Sequence, residues 1–166
     1  MQQILLHSIT VEFISLSLDH QYSINAIIET LTVKQNDSAS LFSILDSMTE
    51  RFNHDLNEYL QFQPRWDGYD SVAFKASTID RVRTAAQLAV NFFRVVGKQP
   101  LKIITGPASD GSVDLEVVAE NKTLRLTFDP DSDDVNTYKE DAVSTSETPF
   151  PLSWAHLESE LRWLVS

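Results

Sequence analysis

Within six residues, Arg65-Trp66-Asp67-Gly68-Tyr69-Asp70, the chain places two large aromatics, two carboxylates, a guanidinium and one of its four glycines. Two neighbouring carboxylates can support general acid–base or hydrolytic chemistry when a third group, a metal or a raised pKa separates their roles. The sequence supplies no obvious partner for that work. Trp66 and Tyr69 instead offer large amphipathic contact area at low entropic cost, which is the chemistry of recognition loops. Arg65 has the charge to pair with Asp67 or Asp70. A plainer reading stands beside the functional one. In it Trp66 fills a gap between two helices and a sheet, and Asp67 caps the Asp67-Gly68 turn through nearby backbone.

The second chemistry-bearing stretch is Asp129-Pro130-Asp131-Ser132-Asp133-Asp134, with Glu140 beyond it. Asp129, Asp131 and Asp133 follow the first ligand offsets of a calcium loop and Glu140 stands at the twelfth position. The sixth position is Asp134, where such a loop wants glycine, and the flanks read as strands rather than helices. A solvated turn is the expectation, with no metal and no cofactor. The four histidines, His7, His20, His54 and His156, have no ligand spacing to one another. No H-E-x-x-H, G-x-S-x-G, G-x-G-x-x-G or phosphate-binding loop is present. Ser109-Asp110-Gly111-Ser112 reads as a turn rather than a nucleophile. The absence of cysteine removes disulfides, thiolate metal sites and a cysteine nucleophile. No catalytic residue is assigned, and a non-enzyme is expected. The alternative is a small hydrolase using Asp67, Asp70 and a histidine.

The elements that must position these residues are legible in outline. Residues 8–18 alternate as a strand with a bulge or a change of sheet face. Residues 22–34 are open between helix, from the spacing of Ile24, Ile27, Ile28 and Leu31, and strand, from their Ile, Thr and Val content. A hairpin through Asp19-His20-Gln21-Tyr22 would fit the second. Residues 38–61 carry a helical stripe (Leu41, Ile44, Leu45, Met48, Phe52, Leu56, Tyr59, Leu60), with Asp37 or Ser38 as cap and Pro64 as stop. A second helix is predicted over 78–96, with capping-box spacing at Ser77 and Asp80 and Gly97 as C-cap. The period then changes to two. Strands are predicted around 101–105, 113–117, 124–128 and 135–138, with turns at 106–111, Asn121-Lys122 and 129–134. Residues 140–149 read as loop, and Ser153 caps a last helix with the stripe Trp154, Leu157, Leu161 and Leu164. Trp163 falls off that stripe and is the interface candidate of this helix. The order predicts a single α+β domain over 1–166, an antiparallel β-meander packed against two to three helices as a two-layer sandwich. Residues 1–36 form an N-terminal strand region that could stand apart as a hairpin or arm.

The net charge is −11, spread unevenly: −6 over residues 1–63, +4 over 64–102, −8 over 103–148 and −1 thereafter. Such an envelope repels phosphate backbones, so direct nucleic-acid binding is not expected. It suits either solubility or a basic partner. No segment approaches the roughly 18 apolar residues of a membrane span, and Met1-Gln2-Gln3-Ile4-Leu5-Leu6-His7 lacks the basic start of a signal peptide. A cytoplasmic protein is expected.

Trp66-Asp67-Gly68-Tyr69 before an amphipathic helix, then Gly106-Pro107-x-x-Asp110-Gly111-Ser112-Val113-x-Leu115-Glu116 and a strand ending Phe128-Asp129-Pro130-Asp131, resembles a group of small uncharacterised bacterial and phage-borne proteins. These share a W-D-G-Y-like loop before a helix and a P-x-x-D-G hairpin. The resemblance covers residues 64–138. It departs at Asp70-Ser71-Val72-Ala73, where the group has a small residue and a proline, and at Val117, where it has an aromatic. It implies a mobile-element or host-conflict setting and assigns no catalytic residues. The expected function is an acidic protein-binding module that inhibits or neutralises a basic or nucleic-acid-handling partner, in the manner of an antitoxin, immunity or anti-defence protein. Its binding residues would be Arg65, Trp66, Asp67, Tyr69, Asp70 and Trp163. A structural or homo-oligomerisation domain is the further alternative.

Overall fold

The computed structural model describes residues 18–166 apart from Leu152, with side chains from Ala39 onward excepting Trp154. The chain divides into two units, Met1–Asp37 and Ser38–Ser166. In the first, the predicted strand over 8–18 falls almost wholly outside the described residues. From Leu18 on the backbone is helical and belongs to α1, Leu18–Tyr59. The expected strand region therefore ends in helix, and the hairpin at 19–22 and the cap at Asp37 or Ser38 do not form. No glycine or proline interrupts residues 18–59, so polar residues at 35–40 weaken the helix without ending it.

In the second unit α1 buries Leu45, Phe52, Leu56 and Tyr59, with Leu41 and Met48 partly covered. That is the predicted stripe, spaced three and four so that one face meets the core, except for Leu60, which lies just past the helix end and is exposed. Helix α2, Ala76–Val96, buries Ile79, Val82, Ala85, Ala86, Ala89, Val90, Phe92 and Phe93. Its three small alanines let its backbone approach the sheet closely. It begins earlier than predicted, at Lys75, which makes no side-chain cap; Ser77 lies inside the helix and the capping box does not form. Gly97 is the C-cap as expected, its N–H donating to the Phe93 carbonyl at 3.0 Å. Arg94 pairs with Asp46, and Arg83 donates to Asn57 Oδ1 at 3.0 Å, so α2 is tied to α1 along its length.

Five antiparallel strands follow in meander order: β1 Lys102–Pro107, β2 Val113–Ala119, β3 Lys122–Phe128, β4 Asp134–Glu140 and β5 Thr145–Pro151. Inward residues alternate as the period-two pattern requires: Ile103; Val113, Leu115 and Val117; Leu124, Leu126 and Phe128; Val135. The β2–β3 loop is Glu120-Asn121, one residue before the predicted turn, because Ala119 pairs with Lys122. Of residues 140–149, read as loop, the second half belongs instead to β5, paired with β4 from Glu140↔Thr145 to Asp134↔Pro151. Helix α3, Trp154–Leu164, is capped by Ser153, whose Oγ accepts from the His156 N–H at 3.3 Å. Leu157, Leu161 and Leu164 complete a single core shared by the three helices and one sheet face. The fold is α+β, a β-meander packed against helices. Among the described residues no helix is long and apolar enough to cross a membrane.

Candidate functional site

Three loops meet at one rim of the sheet. The first is the 60–75 connection between α1 and α2. Its two prongs are clasped by Arg65 N–H donating to the Ser71 carbonyl at 2.7 Å and Gly68 N–H donating to the Arg65 carbonyl at 2.9 Å. Arg65 reaches this geometry with φ at 67°, a left-handed conformation that costs a non-glycine residue about 1–2 kcal/mol. The second loop is the β1–β2 turn. The Val72 N–H donates to the Ser109 carbonyl at 2.9 Å, and Gly111 lies directly under Val72. The third is the 129–134 turn, where Lys75 Nζ reaches the Pro130 carbonyl at 3.2 Å and Asp131 Oδ1 at 2.6 Å. The two passages separated by about forty residues in the sequence, the W-D-G-Y loop and the D-G hairpin, are thus in direct contact.

Five of the six predicted site residues lie on or near this rim. Trp66 is half-buried, stacked on Phe62 at 4.8 Å between centroids and 5.9 Å from Phe74. It closes the aromatic cluster that Tyr59 begins, which is the gap-filling role. Among the described residues its indole N–H is buried without an acceptor. Asp67 caps the turn: Oδ1 accepts from the Tyr69 N–H at 2.9 Å. That amide, then the Ser71 hydroxyl, holds the Asp67 carboxyl below the usual carboxylate range. Asp110 behaves alike, taking the hydroxyl and then the amide of Ser112, and is also pulled down. Tyr69 stands at the loop tip and is 79% exposed; Arg65, Asp70 and the apolar Val72 beside it are exposed too. The three loops, with Arg81, carry seven carboxylates (Asp67, Asp70, Asp110, Asp129, Asp131, Asp133, Asp134) and three cations (Arg65, Lys75, Arg81).

Trp163 is not on the rim. It packs on the core from α3, with Lys122 Nζ at 5.3 Å and Lys139 Nζ at 5.4 Å from its ring centroid. Lys122 Nζ also donates to the Trp163 carbonyl at 2.8 Å, so these lysines fasten the end of α3 to the sheet. The sheet face away from the helices bears a row of matched charges. Glu116 accepts from Lys102 at 2.6 Å and Arg125 at 2.8 Å. Burial acts to raise the Glu116 pKa, but these bonds outweigh it and the carboxyl is lowered. A shallow cleft of about 140 Å³ between α2 and α3 is lined by Phe92, Val95 and Val96.

For acid–base chemistry, Asp67 sits on the wrong side: its carboxylate is stabilised, where a general acid needs it raised. His54 and His156 make no hydrogen bond to Asp67 or Asp70; His156 lies against Ser153 and the Pro151 carbonyl. Among the described residues no cluster of three or more His, Asp or Glu side chains could hold a metal. The residue that the sequence reasoning missed is Arg81, which enters the acidic turn from α2. Its only sequence signal was a basic side chain early in a helix of a strongly acidic chain. No protein-family model, curated protein or solved structure matches the chain.

Proposed function

We propose that this protein is a non-catalytic acidic binding module that engages a basic, nucleic-acid-handling protein through the rim and neutralises it. One observation carries the reading: the most exposed aromatic of the described core unit, Tyr69, stands at the tip of a hydrogen-bonded loop that carries Asp67 and Asp70 and is bonded to the β1–β2 turn and to the acidic 129–134 turn. Interface energy concentrates in anchors of this type, and a rigid anchor loses little entropy on binding. The surrounding negative field steers a basic partner and repels nucleic acid itself. The inhibitory part of the proposal draws on the host-conflict setting that the sequence resemblance implies.

The test is an affinity capture from bacterial lysate with wild type and Tyr69→Ala, at low and high salt. The side chain is exposed, so the substitution leaves stability within about 0.5 kcal/mol. A bona fide partner is retained by wild type at low salt and released as salt rises. Tyr69→Ala should weaken its binding by about 2 kcal/mol, roughly 30-fold. If folded Tyr69→Ala holds the same partner equally well, the rim is not the interface.

A further inference from the structure

Resting on that reading of the rim, we infer that Arg81 is its positioning residue: the guanidinium stands where a bound cation stands in an acidic turn and sets the geometry of the 129–134 loop. Arg81 lies in the second turn of α2. Its Nη1 donates to the carbonyl oxygens of Asp129 at 3.2 Å and Ser132 at 2.6 Å. Its Nη2 donates to those of Asp133 at 2.9 Å and Asp134 at 3.4 Å. The guanidinium carbon is 5.6 Å from the centroid of the Phe128 ring, so one side of the group is covered.

A turn folded with its carbonyls inward needs a donor at its centre. In calcium loops the converging oxygens find a metal ion. Here four of them find a delocalised cation whose donors are set in a rigid planar fork. The carboxylates are thereby released from ligand duty. Asp129 Oδ1 accepts from the Asp131 N–H at 2.6 Å, and Asp131, Asp133 and Asp134 remain exposed. The four acceptors are shared between two nitrogens, two apiece. An ammonium is a single point with three donors and cannot span them, so lysine is not an equivalent. Arg81 also belongs to the helix that the Tyr69 loop leads into. Arg81, together with the exposed Lys75 at the N-cap of the same helix, therefore holds the acidic turn relative to the aromatic tip, and Arg81 alone engages its carbonyls from within.

Two measurements without any partner test this. In wild type, nitrogen-15 spectra of the arginine side chains should show separate, slowly rotating Nη signals for Arg81 and averaged signals for exposed Arg65. Averaged signals for Arg81 at low temperature would overturn the inference, whether or not any variant folds. In Arg81→Lys and Arg81→Gln, amide hydrogen exchange over 131–134 should accelerate about tenfold or more, because several charge-assisted bonds are lost locally. Amides of β2 and β3 should keep their wild-type rates. If Arg81→Lys exchanges like wild type, or if β2 and β3 accelerate equally, Arg81 is an ordinary stabilising residue. These results are independent of Tyr69→Ala capture, so failure of the rim as an interface and failure of Arg81 as its organiser are read separately.

Discussion

Gly111→Ala tests whether the three loops of the rim are docked on one another. Gly111 has φ at +84°, and a Cβ built there would lie 2.8 Å from Val72 Cγ2, with the Ala73 carbonyl oxygen and Pro130 Cγ each at 3.7 Å. An alanine in that left-handed conformation costs about 1–2 kcal/mol. Carbon contacts settle near 3.5–4.0 Å, so Val72 must also retreat by close to 1 Å, and overpacking of this kind costs about 1–3 kcal/mol. The expected loss is about 2–5 kcal/mol, a large share of the roughly 5–15 kcal/mol that holds a domain together. Gly68→Ala is the matched control. Its φ is +83° but nothing lies within 4 Å, so only the conformational part, about 1–2 kcal/mol, should appear. Val72 is 45% exposed, and Val72→Ala alone should cost about 1 kcal/mol or less. Combined with Gly111→Ala it removes the clashing methyl and should restore about 1–2 kcal/mol of coupling. Urea melts at equal slope measure all four proteins, with about 2–4 °C in Tm per kcal/mol as a second readout. If Gly111→Ala and Gly68→Ala lose the same stability, or if Val72→Ala brings no relief, the Val72 loop does not rest on the β1–β2 turn.

Trp66→Phe should fall within about 1 kcal/mol of wild type in the same melts, because the smaller ring loses area but also removes a buried N–H that has no acceptor; Trp66→Ala, which empties the stack on Phe62, should lose about 3 kcal/mol or more. Ser153→Ala should cost about 0.5–1 kcal/mol, at the low end for a helix cap because the bond to the His156 amide is long, and wild-type stability would remove the cap. Asp67, Asp110 and Asp141 are all lowered by hydrogen bonds, so their contribution is present above the ordinary carboxyl range near pH 4 and lost as pH falls through the folded values. Urea midpoints should therefore decline on acidification, less steeply in Asp110→Asn; an unchanged slope would place the acid sensitivity elsewhere.

What the sequence made legible was whatever rests on local periodicity or a single cap. The inward strand residues, the α2 stripe, Gly97 and the Ser153 cap all answer to spacing along the chain. What it concealed depends on partners distant in sequence. Strand β5 was hidden because Thr145-Ser146-Glu147-Thr148-Pro149-Phe150-Pro151 has little apolar content and two prolines, which cannot donate to a ladder. It is admissible because it is an edge strand: Pro149 and Pro151 share one parity, so their donor-less nitrogens can face outward while Phe150 bonds to β4. The helix over 22–34 was obscured by β-branched residues, whose modest propensity yields to spacing. At the site, the plainer reading put Trp66 in a gap and there it packs, whereas the exposure of Tyr69 carried no signal of its own, since a loop aromatic suits either role. The left-handed Arg65 carried no signal at all, because glycine, which usually marks such a position, stands three residues later.

The placement of the acidity matters more than its amount. On the helices and the open sheet face most of the carboxylates with named partners are answered by cations: Asp46 by Arg94, Glu116 by Lys102 and Arg125, Glu158 by Arg162, Glu160 by Lys139. On the rim, Asp67, Asp110 and Asp129 are answered chiefly by backbone amides or a hydroxyl, which stabilise the ionised form without cancelling its charge. Among the described residues, only Asp131 of the rim carboxylates has a cation within ion-pair distance, Lys75. Arg81 spends its donors on carbonyls, so its charge lies within the turn without an ion pair to any one aspartate, one cation among four carboxylates. At physiological salt, charges separated by more than about 8 Å are largely screened, so the net charge of the whole chain says little about any one face. A cluster of aspartates whose partners are neutral is what a basic protein would meet first. It follows that replacing one of the helix carboxylates should leave the salt dependence of partner association nearly unchanged, whereas Asp133→Asn or Asp70→Asn should reduce it.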